Sequence, residues 1–156
     1  MSSDKCCELI DGKAWDRKTI EWKDKPFVKD RYLALFYMPI GADKKIAKWM
    51  DGLKSRNLMP DGGMMLWRNE GLFGGEMLIP IKKDASDLPV EKISGRFFTM
   101  FFEGKDYPDA GRWHKAFDEE AKKKGLVVEE KMTWYVLCPA CIKKFGKLQG
   151  VIFGRL

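Results

Sequence analysis

Two groups of residues could do chemistry. Cys138, Pro139, Ala140 and Cys141 form a C-P-x-C frame close to the C-terminal end. Four carboxylates stand next to aromatic or aliphatic runs: Glu76 in GEMLIPI, Glu103 at the end of FFTMFFEG, and Glu129 and Glu130 ahead of KMTWYV. A CxxC pair supports thiol–disulfide exchange when it opens a helix, because the dipole lowers a thiol pKa. It supplies two thiolates to a tetrahedral metal site if two further ligands join it. It is also compatible with a plain turn in which Cys138 packs as a small hydrophobe and Pro139 ends a strand. A carboxylate set among aromatic rings suits a cationic or polarised apolar ligand, through charge and ring quadrupole together. Desolvated there, it would have a raised pKa and could act as a general acid.

The surroundings weigh on each reading. A thioredoxin-like site needs strands and helices after its CxxC, and only 15 residues follow Cys141. For a metal, Cys6 and Cys7 are adjacent and remote in sequence, and His114 is the single histidine. For a nucleophilic cysteine, that histidine is the base on offer. No cofactor and no bound metal are expected; a redox or zinc protein acting through Cys138 and Cys141 is the alternative to a carboxylate-based site.

The elements that must position these residues repeat. RYLALFYMPIG, Arg31 to Gly41, reads as a strand buried on both faces and ended by Gly. In ADKKIAKWMDGLKSRN, Ile46, Trp49, Met50 and Leu53 make one helical stripe behind Asp43 as N-cap. MMLWRN and GEMLIPIKK read as two strands joined through EGLFG. The order then recurs. SGRFFTMFFEG is a strand ending at Gly104, and DYPDAGRWHKAFDEEAKKKG is a helix with Trp113, Phe117 and Ala121 in line and Gly125 at its stop. EKMTWYVLCP and KLQGVIFGRL are the closing strands. Arg31 corresponds to Arg96, Trp49 to Trp113 and Trp67 to Trp134, a period of about 65 residues that suits a duplicated half-domain. The fold class expected is α+β, with two βαββ halves (31–83 and 93–156) in one domain, 31–156. Both helices are expected on one side of the sheet system. Residues 1–30 are read as an arm, with a short extended piece around Ile20 to Trp22.

Two helices cover one face of such strands, yet the strands are apolar on both. Tyr32, Ala34, Phe36 and Met38 alternate with Leu33, Leu35 and Tyr37, and Phe97 and Phe101 alternate with Phe98, Met100 and Phe102. A sheet with one wet face should alternate apolar and polar residues. The second face therefore needs a cover: the arm, a second subunit in a homodimer, or a ligand.

At this point the sequence resembles the GyrI-like small-molecule-binding proteins, stand-alone relatives of the effector-binding domains of multidrug-sensing regulators. The likeness covers Arg31 to Leu156. It rests on FFEGKDYPDAGRWHKAF, with Phe102, Gly104, Asp106-Tyr107 and Trp113 at the family spacing, and on WYVLCPACIKKFG, similar to a C-P-x-C subgroup. The resemblance implies a pseudo-twofold fold with a central aromatic cleft that holds bulky hydrophobic or cationic aromatic compounds, for drug or toxin protection. It also implies, as an alternative, a hydrolase that opens the cyclopropane ring of genotoxic natural products with a Glu and aromatic residues. Carried over, Trp67 matches the aromatic of the second strand. The register of the family's acid falls on Thr133, or with a slip on Glu130, and Glu76 is the conjectured substitute on the pseudo-symmetric side. The expected ligand-binding residues are Tyr37, Trp67, Glu76, Met100, Phe102, Trp134 and Tyr135; the expected catalytic residues, if there is turnover, are Glu76 and Glu130.

The bulk numbers bound the partners. Net charge is +6, but the lysines fall in short blocks beside acids and read as a solvated face. No apolar run is long enough to span a membrane, and no membrane partner is expected. MSSDKCCELIDGKAWDRK has no apolar h-region, so a cytoplasmic location is the default expectation. No helix-turn-helix pattern precedes the domain, so direct nucleic-acid binding is not expected. The partner expected is a small hydrophobic or cationic ligand.

Overall fold

The computed structural model describes residues 8–36, 38–60, 64–137 and 139–156. The chain is α+β, built on antiparallel strands with few helices. It divides into two compact units, one formed by residues up to Glu21 together with Gly95–Leu156, the other by Trp22–Ser94. Both boundaries fall inside long strands, β1 (Lys18–Leu35) and β5 (Val90–Gly104). Among the described residues no helix is long and apolar enough to cross a membrane.

In the unit Trp22–Ser94 the sheet order is β2-β1-β4-β3, all antiparallel, with β2 at Met38–Ile40, β3 at Leu66–Arg68 and β4 at Gly74–Pro80. Helix α1 (Ala42–Ser55) follows β2. Its N-cap is Gly41, at φ +71°, with no side-chain cap, and Asp43 lies in the first turn. The expected Asp43 cap is thus displaced by two residues, and the carboxylate acts on the helix dipole instead. The stripe is as expected: Leu53 is fully buried, Trp49 and Ile46 are half-buried, and Trp49 Nε1 donates to Asp30 Oδ2 at 2.9 Å. Tyr32, Ala34 and Met77 bury against Ala42, so the even-numbered side of β1 faces the helix.

In the other unit the sheet order is β6-β7-β5, with β6 at Glu130–Tyr135 and β7 at Leu148–Arg155. Helix α2 (Ala110–Lys123) is introduced by a 3₁₀ turn, Tyr107–Asp109, capped reciprocally by Asp106 and Asp109. Asp109 comes so close to Gly104 that a β-carbon there would lie 2.6 Å from its carboxylate, which is why the strand ends on glycine. Trp113, Phe117 and Ala121 are buried, and Gly125 stops the helix at φ +71°. Phe98 and Met100 pack under them, and Phe102 stacks on Trp113 at 5.7 Å. Gly150 and Gly154 of β7 are in contact with the Trp113 and Phe117 rings, so no larger residue fits below the helix. A short helix, α3 (Pro139–Phe145), joins β6 to β7 and buries Cys141 in the same core.

The expected strand–helix–strand–strand order is therefore present in each unit. Two additions break the repeat: β2 in one and α3 in the other. The first strand also begins at Lys18, well ahead of the expected Arg31.

Candidate ligand site

The cover of the second face differs between the units. In the unit holding α2, the face away from the helix carries Thr99, Phe101, Val151, Phe153, Met132 and Trp134, as the registers Thr99↔Phe153, Phe101↔Val151 and Trp134↔Val151 require. Residues 10–18 lie across it. A 3₁₀ turn at Gly12–Ala14, capped by Asp11, brings Trp15 edge-on to both Trp134 and Phe153, each at 5.6 Å. Thr99 Oγ1 donates to the Trp15 carbonyl at 2.5 Å, and the Phe101 amide donates to Asp16 Oδ1 at 3.3 Å. Gly12 rests directly on the Phe101 ring: a β-carbon there would stand 2.3 Å from Cδ2. The arm, one of the three covers considered, is the one found on this unit.

Where the arm leaves the sheet it forms a depression of about 540 Å³, lined by Ile10, Asp11, Gly12, Lys13, Asp16, Phe101, Glu103 and Gln149. Gln149 is the hinge of its polar wall. It is 4% exposed, accepts from the Ile10 amide at 2.8 Å, and donates to the Ile10 carbonyl and to Glu103 Oε2, both at 3.2 Å. Lys147, 3.1 Å from the same oxygen, and then Gln149 hold the Glu103 carboxyl below the usual carboxylate range. Glu103 is therefore ionised at neutral pH, and it shares the lining with two further carboxylates, one ammonium and one aromatic ring. That lining accepts a cation with an apolar body.

The unit holding α1 contains a second polar cluster. Arg68, 7% exposed, donates from Nε to Glu76 Oε1 at 2.9 Å and forks onto Glu91 at 2.5 and 2.8 Å. Asn69 donates to Glu76 at 2.8 Å, and Lys29 lies 3.8 Å from Glu76 and 3.5 Å from Glu91. Burial alone would raise the Glu76 carboxyl; Arg68, then Asn69 and Lys29, outweigh it and hold the group below its ordinary value. The sequence-based expectation of a raised pKa at Glu76 is reversed, because the neighbour that matters is a guanidinium and not a ring.

Within the unit holding α2, the sequence-predicted residues lie on both faces of the sheet. Met100, Phe102 and Tyr135 lie under α2, where Tyr135 sits edge-on to Tyr107 at 5.3 Å. Trp67 lies on the helix side of its own sheet, edge-on to Tyr32 at 4.9 Å. Trp134 lies on the side away from its helix, against Trp15. Trp67 and Trp134, matched as markers of the repeat, thus lie on unlike sides of their strands relative to their own helices. Glu130 opens β6 opposite Arg155 and is half-buried. Thr133, at the register of the family acid, is buried and hydrogen-bonded to His114 Nε2 at 3.2 Å. Burial, and then the charge of Lys131, lowers that imidazole to about 4. Tyr37, Cys138, Cys6 and Cys7 lie outside the described residues. Among the described residues no three His, Cys, Asp or Glu side chains gather as metal ligands. Asp11, Asp16, Phe101 and Gln149 were not singled out from sequence as a site, because nothing local links residues 11–16 to β5 and β7.

The bacterial hydrolase family model matches residues 1–156, the whole chain. The chain belongs to the bacterial hydrolase family. No curated protein matches it in sequence. Among solved structures, the EcmrR C-terminal domain aligns with a TM-score of 0.66 at 9% identity, over 90% of this chain and 96% of that one. A hydrolase encoded by lin2189 from Listeria innocua aligns with a TM-score of 0.60 at 9% identity, over 91% and 93%. These likenesses concern the fold, and they agree with the GyrI-like architecture expected from the sequence. The structure of SAV2435 bound to tetraphenylphosphonium aligns at 0.48 and 9% identity over 89% and 93%, too loosely to bear on this bacterial hydrolase family member.

Proposed function

We propose that the protein is a small-molecule-binding protein whose ligand is a cation with a hydrophobic or aromatic body, held over Phe101 between Glu103, Asp16 and Asp11. One observation carries this reading: an ionised carboxylate, fixed by a buried glutamine, opens onto an aromatic ring in a depression large enough for a compact organic molecule. Glu103 supplies the charge and Phe101 the apolar contact. Gln149 keeps the arm and the carboxylate in register.

Calorimetric titration with N-methylquinolinium, and with quinoline as its neutral counterpart at pH 7.5, tests it. The cation binds more tightly than the neutral ring, and Glu103→Gln weakens the cation about threefold to fivefold while leaving the neutral compound unchanged, the scale of one solvent-screened charge contact. Equal loss for both compounds, or no loss for either, refutes the assignment.

Membership of the bacterial hydrolase family favours a second reading, hydrolysis of a small hydrophobic compound such as a cyclopropanoid. A carboxylate held ionised is available to accept a proton from water, as a base weakened by its lowered pKa, and does not donate a proton at neutral pH. Glu76 and Glu103 suit the base role, and Glu130 remains the sequence-based candidate for an acid. Turnover of a cyclopropanoid substrate that survives Glu76→Gln, Glu103→Gln and Glu130→Gln separately would remove all three from the chemistry.

A further inference from the structure

On the side of the unit Trp22–Ser94 away from α1, Phe27, Leu66 and Leu78 are fully buried, and the part left exposed is the end formed by the β1–β2 hairpin. Leu33 pairs with Ile40 and Leu35 with Met38 across the β1–β2 hairpin, so all four side chains leave the sheet on the side away from α1. They are 71%, 56%, 52% and 65% exposed. Phe36 at the turn and Phe73, whose carbonyl accepts from the Ala34 amide, extend the patch at 69% and 67% exposure. No charged residue stands among these six. Phe36 also has φ +50°, a left-handed backbone conformation that an aromatic residue adopts at a cost and that Gly or Asn would adopt freely.

We infer that this hairpin face is a homodimer interface, covered by the same face of a second copy. The size argues for it. Together these side chains present on the order of 800 Å² to solvent, beyond the roughly 300–600 Å² of the largest patch on a typical monomer and equal to one partner's share of a standard interface. The chemistry argues for the same occupant. An uncharged apolar patch is self-complementary, which a twofold interface requires because each residue meets the same set. The mode is face to face and not strand addition: β2 is the edge strand but has three residues, and Pro39 in its middle has no N–H to offer a neighbouring strand.

Sedimentation equilibrium of the full chain between 1 and 200 µM tests the inference. The expected result is a dimer at micromolar concentration that weakens at least 100-fold in Leu33→Lys and in Phe73→Lys. Val127→Lys, an equally exposed apolar position in the other unit, leaves it unchanged. Circular dichroism spectra and thermal midpoints establish that each variant folds, and Met38→Lys replaces either one that does not. A wild-type chain that stays monomeric to 200 µM overturns the inference, as does a dimer indifferent to these substitutions. A monomer that co-sediments with phosphatidylcholine–phosphatidylglycerol vesicles through the same residues also overturns it and assigns the face to a lipid surface.

Discussion

Replacing Arg68 by Met separates a structural from an incidental ion cluster. The guanidinium is 8% exposed at its side chain and makes three hydrogen bonds, one to Glu76 and two to Glu91, whose side chains are 16% and 30% exposed. Removing it leaves two half-buried carboxylates facing each other with Lys29 as their nearest remaining cation among the contacts described. Breaking a buried pair costs about 3–5 kcal/mol, and the low end applies because Glu91 reaches water and Lys29 remains, so we expect about 3 kcal/mol. For a chain of this size that is a fall of roughly 9 °C in thermal midpoint at pH 7. Lys29→Met should cost under about 1 kcal/mol, since that ammonium is largely solvated. The acid limb gives an independent signature. Glu76 and Glu91 are both held below their ordinary value of 4.5, chiefly, among the stabilising contacts, by Arg68. A depressed carboxyl contributes stability that is complete above its unfolded pKa and is lost as pH falls through its folded one. Wild type should therefore lose stability more steeply than Arg68→Met below about pH 5, and the gap between them should narrow. Urea denaturation followed by tryptophan fluorescence at pH 7, 5 and 3.5 measures both effects. Equal stability at pH 7, within about 0.5 kcal/mol, would show that the Arg68 cluster holds no stability, as would a gap that widens in acid.

The remaining expectations concern the other unit. His114 has its pKa lowered to about 4 by burial, so it is neutral in the fold and titrates higher once unfolded. Stability is complete above about pH 6.5 and falls as pH drops toward 4, by about 2 kcal/mol after allowance for partial solvent contact; His114→Gln should flatten that decline in urea midpoints, and an unchanged profile would exclude this imidazole as its source. Gly12→Val should push the arm off the Phe101 ring at a cost of about 1–3 kcal/mol, red-shift the tryptophan emission and abolish cation binding together; a variant that keeps wild-type stability and binding would contradict the packing described.

Local pattern carried most of the fold. The helix stripes, the glycine stops and the βαββ repeat all follow from spacing within one element, and they stand in the structure at Leu53, Trp113, Phe117 and Gly125. The double-sided apolar character of the strands correctly implied a cover for the second face. What spacing could not supply was parity and partnership. Trp67 and Trp134 look equivalent as marks along the chain, but in the fold they stand on unlike sides of their strands relative to their own helices. Glu76 looks like a carboxylate among aliphatics until Arg68, eight residues away on the neighbouring strand, is folded against it. The lining at Asp11, Asp16, Phe101 and Gln149 joins segments more than 80 residues apart in sequence, and no short-range signal marks it.

The most direct test of the binding site is an amide chemical-shift map of the ¹⁵N-labelled chain titrated with N-methylquinolinium. The largest shifts are expected at Asp11 to Asp16, Phe101 to Glu103 and Gln149, saturating with one cation per chain and reduced in Glu103→Gln. Shifts confined to residues outside that set, or a map that Glu103→Gln leaves unaltered, would contradict it.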